Sequence, residues 1–559
     1  MTTDFSTDSL DPVTVEVTRH RLEGIANEMQ ATLLRSSFSP IVKEGLDASA
    51  GLFTADGQTL AQSCSIPIHL ATLIPALKRI IETFPPATMA PDDTYVLNDP
   101  YCGGTHLPDI AVVQPVFAPG GNQGDRIIAF AAAMTHHQDM GGLSAGLVPT
   151  NATEIFQEGL RIPPLKFRDR GVVNATLEAM IRQNVRIPDT VMGDIHAQVS
   201  ACSIGARRLA ELAARQGDNA LTAIFAELLD RSERMTRLAL SKIPDGTYRA
   251  VDWLDNDGVE LDKPIRIEVA VTIRGDSIHL DFTGSSPQVR GPLNCVPSGS
   301  LAGACYAVRA LTDPRIPTNG GCFRPISLHL PEGTIVNPRE PAPVNARTST
   351  IKRITGTIIQ ALAEVMPDRV PAPSAGQMVI VAFGGRTPEG KPFVTGDLIA
   401  GGSGAARGSD GVDVIETDAS NCMNLPAEAA EMETPIRLNR VALRPDSGGD
   451  GEYRGGLGTI REYEALVDEL SFTHRGERHY SAAQGLFGGE PGAMSRSVIH
   501  RADGRVEEIP SKIVTRLNKG DRVVIETAGG GGYGEPAKRL AAARAADRAD
   551  GKVSPSASG

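Results

Sequence analysis

Two short apolar segments, separated by a loop-like stretch, constrain the fold of this chain more than any other feature. Residues 110–117 (IAVVQPVF) and 127–134 (IIAFAAAM) each have the length and the apolar content of a buried strand. The residues between them, 118–126 (APGGNQGDR), are rich in Gly, Pro, Asn and Asp, which favour a turn. The pattern predicts an antiparallel β-hairpin in the first quarter of the chain.

Imidazole and carboxylate side chains flank this hairpin on both sides. His106 and Asp109 stand before the first strand in NDPYCGGTHLPD, and a pair of histidines beginning at His136 follows the second strand in THHQDMGG. If the loop centres near Asn122, antiparallel pairing places Asp109 opposite Thr135 and beside His136. His106 then lies just outside the same end of the hairpin. Two distant segments are therefore expected to bring their His and Asp side chains to one place.

This combination of side chains points to a metal site. Histidine nitrogen with carboxylate oxygen suits a borderline divalent ion such as Zn, Mn, Fe or Ni. Three protein ligands would leave coordination positions open, which is typical of a catalytic site. The glycine pairs at 103–104 and 141–142 allow the sharp backbone turns that such a site needs. The alternative is that these histidines cap strands or hydrogen-bond to loop carbonyls, but two matched clusters favour the metal.

Three further polar residues are candidates for the same site or for a substrate. Asp47 lies among small and apolar residues in GLDASAGLF, where a carboxylate needs a partner. It is a candidate fourth ligand or orienting group, and a helix or turn cap fits equally well. The pattern at 67–84 predicts a helix with His69 near its start, where a capping role is favoured. Arg161 could bind an anionic substrate group or belong to a solvated charged face.

Composition excludes several classes of function. The chain has 559 residues, of which 41% are hydrophobic and 4% aromatic, so a large core must be built mainly from aliphatic side chains. The net charge of −12 makes nucleic acid and anionic membranes poor partners. The 7 cysteines are scattered without a CxxC pair, which argues for a reducing compartment. The acidic, polar N-terminus is unlike a signal peptide, and no apolar run reaches the roughly 20 residues of a membrane span. We expect a soluble, cytoplasmic protein.

The order of patterns predicts a mixed, multi-domain α+β architecture with four regions. These are an N-terminal α/β region with the hairpin and metal site (1–170), a central helical block (171–243), a Gly-rich mixed β/α half (244–536), and a C-terminal helix with a disordered tail (537–559). The sequence contains no phosphate-binding P-loop, no GxGxxG after a strand and no GxSxG nucleophile motif. If the reaction needs a nucleotide, we expect another chain to bind it.

Six segments, in the same order and spread over nearly the whole chain, resemble the hydantoinase B / 5-oxoprolinase family. This family includes the B subunits of ATP-dependent N-methylhydantoinases and lactamases, and related subunits of acetone and acetophenone carboxylases. The segments are NDPYCGGTHLPDI (98–110), THHQDMGG (135–142), EIFQEGLRIPP (154–164), RQNVRIPDTVMGDIHAQVSA (182–201), DFTGSSPQV (281–289) and GGGGYGEP (529–536).

The resemblance implies a heteromeric, ATP-dependent enzyme. A larger A-type subunit would bind ATP and Mg and phosphorylate a carbonyl or amide oxygen, in a hetero-oligomer such as A2B2. The B-type subunit would hold a divalent metal (Mn, Zn or Fe) where the activated intermediate is resolved. The implied metal ligands are His106, Asp109, His136 and Asp47. Asp47 is also a candidate catalytic residue.

The resemblance also assigns roles to the residues that follow His136. It implies that His137 and Asp139 are catalytic residues that orient the metal ligands. The choice of His136 over His137 as the ligand rests on motif alignment and on the hairpin pairing. Both histidines stay open as ligands at this stage.

Four functions compete. The first is ring opening of a cyclic amide such as a hydantoin, 5-oxoproline or a lactam. The second is ATP-dependent carboxylation of a ketone of the acetone or acetophenone type. The third is a non-catalytic scaffold with a structural metal, and the fourth is a free-standing non-haem iron enzyme. Acetone carboxylase α chains are markedly longer than this chain, which favours the cyclic amide hydrolase.

Overall fold

The computed structural model describes residues 10–63, 65–69, 71–118, 126–144, 149–387 and 390–554. Within these residues the chain forms ten helices and twenty strands. The helices are α1 Pro12–Ser36, α2 Pro40–Lys43, α3 Leu73–Thr83, α4 Ala175–Asn184, α5 Pro188–Gln216, α6 Asp218–Leu240, α7 Pro297–Leu311, α8 Arg347–Ala361, α9 Ala427–Glu433 and α10 Ala541–Ala549.

The strands fall into four sheets, so the expected mixed α+β fold is confirmed. They are β1 Ala48–Thr54, β2 Thr59–Gln62, β3 Thr94–Leu97, β4 Asp109–Phe117, β5 Ile127–His136, β6 Leu165–Asp169, β7 Val172–Val173, β8 Gly246–Leu254, β9 Ile265–Arg274, β10 Ser277–Asp281, β11 Ile326–His329, β12 Met378–Arg386, β13 Pro392–Ala400, β14 Ile436–Leu443, β15 Thr459–Ala465, β16 Leu470–Arg475, β17 Arg496–His500, β18 Val506–Glu508, β19 Lys512–Leu517 and β20 Arg522–Glu526.

The first sheet is antiparallel throughout and has the strand order β2-β1-β5-β4-β3-β6-β7. Helices α1 and α5 pack against one face of it, and α3 packs against the other. Side chains along β5 alternate between these two interiors, with Ala131 and Ala133 in the first cluster and Phe130 and Met134 in the second. Because both faces are buried, the strand is apolar along most of its length instead of alternating with polar residues.

The hairpin pairing differs by one residue from the prediction. Phe117 pairs with Ile127, which is the register that the loop centre predicts. A β-bulge between Val116 and Phe117 shifts the rest of the ladder, so that Asp109 pairs with His136 and not with Thr135. The shift places His136 directly opposite the carboxylate. The connecting loop at 119–125 lies outside the described residues.

Three consecutive helices precede the second sheet. Helices α4, α5 and α6 are followed by a sheet with the order β11-β10-β9-β8, against which α8 packs. One apolar cluster runs continuously from Val15 in α1 to Leu398 in β13, and so joins both sheets and their helices. The site described below lies beside this shared core.

Two more antiparallel sheets, β13-β12-β16-β19 and β14-β15-β20-β17-β18, form the C-terminal half. The glycine run at 529–532 lies against the backbone of other segments, and a Cβ at Gly529 or Gly530 would overlap the carbonyl oxygen of Ser447 or Ser403. Glycine is required there by close backbone packing. Among the described residues, no helix is long and apolar enough to span a membrane.

Candidate metal centre

Three side chains from the two hairpin ends converge on one point. His106 Nε2 lies 2.9 Å from Asp109 Oδ1, and His136 Nδ1 lies 3.2 Å from the same oxygen. The two imidazole nitrogens are 3.1 Å apart. All three residues are buried: His106 is 2% exposed, Asp109 1% and His136 6%. They form a compact triangle of two nitrogens and one oxygen.

The local chain path explains this convergence. Asp109 is the first residue of β4 and His136 is the last residue of β5, so the ladder pairs them directly. His106 belongs to the turn before β4, in which the Asp109 N–H donates to the His106 carbonyl at 3.0 Å. Gly103 begins that turn with a φ of 96°, in the left-handed region that favours glycine.

The two oxygens of Asp109 have different environments. Oδ2 accepts hydrogen bonds from Thr105 Oγ1 at 2.6 Å and from Arg347 Nη2, the latter as part of a buried ion pair. Oδ1 faces the two imidazoles. Because the protein already satisfies Oδ2, Oδ1 is the oxygen that remains available to an ion. This arrangement fixes the carboxylate for one-point coordination.

A separate series of hydrogen bonds orients His106. Its Nδ1 donates to the Asn345 carbonyl at 2.9 Å, so Nε2 carries the lone pair that points at the triangle. The backbone of that segment is held in turn by Glu158, whose carboxylate accepts from the N–H groups of Val344 at 3.1 Å and Asn345 at 2.8 Å. Burial raises the pKa of Glu158 to about 8. The sequence singled out neither Asn345 nor this role of Glu158.

The protonation states suit a cation. Burial, with a further contribution from the Arg347 charge, lowers the pKa of His106 to about 3, so its imidazole is neutral near pH 7. Burial raises the pKa of Asp109, but the Arg347 charge and the hydrogen bonds to the carboxylate outweigh this effect and hold that pKa well below its usual range. Ligand atoms bound to zinc at about 2.1 Å in a tetrahedron are about 3.4 Å apart, close to the spacing seen here. The residues therefore fit a borderline divalent ion.

Asp47 and His69 lie at the edge of the same triangle. The Asp47 carbonyl accepts from the His136 N–H at 3.1 Å, so the start of β1 carries this residue to the site. His69 Nε2 is 3.9 Å from Asp47 Oδ1 and 3.8 Å from Asp109 Oδ2. The expected capping role of His69 is wrong, because the helix begins at Leu73 and His69 is a buried residue of a preceding 3-10 turn.

The structure does not bring His137 and Asp139 into this triangle. His137 points to the opposite side of β5, where its Nε2 is 3.1 Å from Gln198 Oε1 in α5. Asp139 pairs with Arg186 at 2.8 Å. Within the described residues, neither side chain hydrogen-bonds to His106, Asp109 or His136, so the expected direct orienting contacts are absent. Successive strand residues point to opposite faces, which separates the two histidines.

A narrow pocket with a cavity volume of about 20 Å³ lies over the triangle. Its polar lining includes Asp47, His69 and the guanidinium groups of Arg347 and Arg475. The apolar lining consists of Ile41, Ile66, Ile68, Met378, Ile380 and Leu398. The pocket therefore combines a charged floor with aliphatic walls.

Sequence reasoning missed both arginines of the pocket. Arg347 is the first residue of α8, and Arg475 ends the largely buried strand β16. An arginine at the end of a buried strand is the signal that could have drawn attention to Arg475. Arg161, which the sequence offered for an anion, pairs instead with Asp99 at 2.8 Å and Glu340 at 2.7 Å.

The fold and the site define a mixed α+β protein with a buried two-histidine, one-carboxylate centre under an enclosed pocket. The sequence profile of the Hydantoinase B/oxoprolinase family matches residues 11–536. The chain belongs to this family.

Two relatives match over nearly the full length of both chains. The B subunit of a putative D-/L-hydantoinase from Pseudomonas sp. is 34% identical over 97% of this chain and 93% of its own. The beta chain of the caprolactamase of Pseudomonas jessenii is 33% identical over 98% and 94%. A chain in the crystal structure of the ATP-dependent caprolactamase from that organism has a TM-score of 0.88 at 31% identity, covering 98% of this chain and 95% of that one.

The fold extends to a more distant enzyme. A chain of nucleotide-free acetone carboxylase has a TM-score of 0.88, with 22% identity over 98% of this chain and 78% of that one. This likeness shows a shared fold.

Proposed function

We propose that this chain is the metal-bearing B-type subunit of an ATP-dependent enzyme that opens cyclic amides, and that it acts with an ATP-binding A-type subunit. The supporting observation is the buried triangle of His106, Asp109 and His136 under an enclosed pocket. Family membership and the hydantoinase and caprolactamase relatives support the reaction class. Both relatives are themselves single subunits of larger enzymes, which supports a partner chain, and an A2B2 complex is the proposed assembly.

The geometry supports a set of three protein ligands. His106 Nε2, His136 Nδ1 and Asp109 Oδ1 are the proposed ligands of a divalent Mn, Zn or Fe ion. Asp47 stays the candidate for a further ligand or a base, because it lines the pocket and its backbone is fixed to His136. When bound, the ion would polarise a carbonyl and lower the pKa of a bound water.

The chain's own residues prepare the pocket for this chemistry. The aliphatic walls exclude bulk water, which strengthens electrostatic interactions at the floor. Thr105 and Arg347 fix the carboxylate of Asp109, and the Asn345 carbonyl fixes the tautomer of His106. Asp47, which lines the pocket, is the proposed group that takes a proton from an attacking water. His137 and Asp139 would influence the metal ligands indirectly, through the packing of β5 and of the segment after it.

The function is tested with the reconstituted pair of subunits. With ATP, we expect ring opening of one of three probes: hydantoin, 5-oxoproline or caprolactam. His106→Ala and His136→Ala should abolish turnover and bound metal, while His20→Ala, at an exposed position on α1, should change neither. If the enzyme carboxylates acetone in the presence of bicarbonate and opens none of the cyclic amides, the proposed hydrolase function would be overturned in favour of a carboxylase. Full amide turnover in metal-free protein would overturn the role of the centre.

A further inference from the structure

Arg475 differs from the other buried arginines that the structure describes. It is 1% exposed, and its Nε, Nη1 and Nη2 have no hydrogen-bond partner among the described residues. Each of the other buried guanidinium groups pairs with a carboxylate. These pairs are Arg347–Asp109, Arg353–Asp252, Arg454–Asp413, Arg461–Asp397 and Arg478–Asp252.

The strand register directs Arg475 into the pocket. On the third sheet, Ile380 pairs with Leu398 on one side and with Arg475 on the other. Residues paired across neighbouring strands point to the same face of a sheet. All three line the cavity that lies over His106, Asp109 and His136. The free guanidinium therefore lines the same pocket as the metal triangle.

An unpaired buried guanidinium is unfavourable unless something neutralises it. Leaving a buried charge without a partner costs several kcal/mol, so such a group is retained where a ligand satisfies it. Burial, with repulsion from Arg347, lowers the pKa of Arg475 to about 9. Burial and repulsion both disfavour the charged guanidinium, and an anion bound beside the side chain would offset both.

The charges of the pocket indicate what kind of anion fits. Its lining carries two carboxylates, Asp47 and Asp109, and two guanidinium groups, Arg347 and Arg475, which balance each other. A divalent ion would then leave an excess of two positive charges. A phosphoryl group carries up to two negative charges and three acceptor oxygens, whereas a carboxylate carries one charge. Arginine's fork of N–H donors matches phosphoryl oxygens.

We propose that Arg475 binds the phosphoryl group of an activated, phosphorylated ligand and positions it over the metal triangle. The inference rests on the proposed function, because that function supplies a ligand carrying a phosphoryl group. Arg475 is thus a specificity-determining residue for phosphorylated over unphosphorylated ligands.

The test measures binding of inorganic phosphate to the full chain by calorimetry, with and without Zn²⁺, and requires neither ATP nor the partner subunit. We expect Arg475→Met to weaken phosphate binding about 10- to 100-fold, as the loss of charge-assisted hydrogen bonds predicts. Arg475→Lys should weaken it less, because lysine keeps the charge. Acetate should bind the wild-type chain much more weakly than phosphate.

Thermal unfolding separates a ligand-binding role from a structural one. Arg475→Met should leave the unliganded midpoint unchanged or raise it, since the variant removes an unsatisfied buried charge. The matched control is Arg454→Met, which should lower the midpoint because it removes the buried ion pairs of Arg454 with Asp413 and Asp547.

Three results would overturn the proposal: unchanged phosphate affinity in Arg475→Met, equal affinity for acetate, or a clearly lowered midpoint. Failure of the amide assay with intact phosphate binding would count against the proposed function alone.

Discussion

The ion pair between Asp109 and Arg347 allows a quantitative test of how the site is held together. Both side chains are buried, and the pair is reinforced by Thr105 Oγ1 at 2.6 Å from the carboxylate. Removing one partner of a buried pair costs about 3–5 kcal/mol, because the remaining charge stays unsolvated. Asp109→Asn, studied in chelator-treated protein, should therefore destabilise the region around β4 and β5 by that amount.

Hydrogen–deuterium exchange of peptides from β4 and β5 measures this local effect. A loss of about 3–5 kcal/mol corresponds to exchange that is about 100- to 1,000-fold faster or more, where exchange reports local opening. Arg347→Met should give a similar acceleration, because it strands the carboxylate of Asp109. The double variant should be less destabilised than the sum of the two single variants, since it contains neither buried charge.

Additive effects in this double-mutant cycle would refute the reasoning. So would an acceleration below about fivefold in Asp109→Asn, which corresponds to about 1 kcal/mol. Either result would mean that the carboxylate and the guanidinium are not coupled in solution.

Three further outcomes are expected. Glu158→Gln should weaken metal binding about 10- to 100-fold in a chelator competition, because Glu158 holds the backbone that orients a ligand, whereas the exposed Glu154→Gln should not. His136→Ala should abolish bound metal in elemental analysis, whereas His137→Ala should retain it, since His137 faces α5. The reverse result would make His137 the metal ligand in place of His136. Burial raises the pKa of Asp252, but the charges of two arginines outweigh this effect and hold that pKa below its usual 3.8. The ionised Asp252 therefore stabilises the folded protein above pH 3.8, and this stabilisation is lost as pH falls further. Asp252→Asn should therefore cost about 1–3 kcal/mol at pH 7 and progressively less below pH 3.8, and a penalty independent of pH in denaturant titrations would contradict this.

Local sequence predicted the part of the site that lies on one continuous segment. Apolar runs on either side of a turn-rich stretch predicted β4 and β5, and their flanking residues predicted that His106, Asp109 and His136 would meet. Such a prediction works because a hairpin brings its two ends together through neighbouring backbone hydrogen bonds. It missed the bulge beside Phe117, since a bulge leaves no distinct residue signature in the strand.

Residues from remote segments were harder to predict. His69 resembled a helix cap, and its burial beside two carboxylates is decided by how the turn after β2 packs against α7. Arg347 and Arg475 belong to separate elements, α8 and β16, that reach the pocket only when the first and third sheets face each other. The immediate sequence of each arginine does not show that its side chain reaches this pocket.

The sequence by itself determined the mixed fold class, the hairpin and the kinds of ligand atom at its end, because strand pattern, turn residues and donor chemistry are local properties. The tertiary structure decided which histidine faces the pocket, which oxygen of Asp109 remains available, and which arginine is left without a partner. These depend on strand register and on contacts between segments separated by hundreds of residues. Packing of the whole chain settles them.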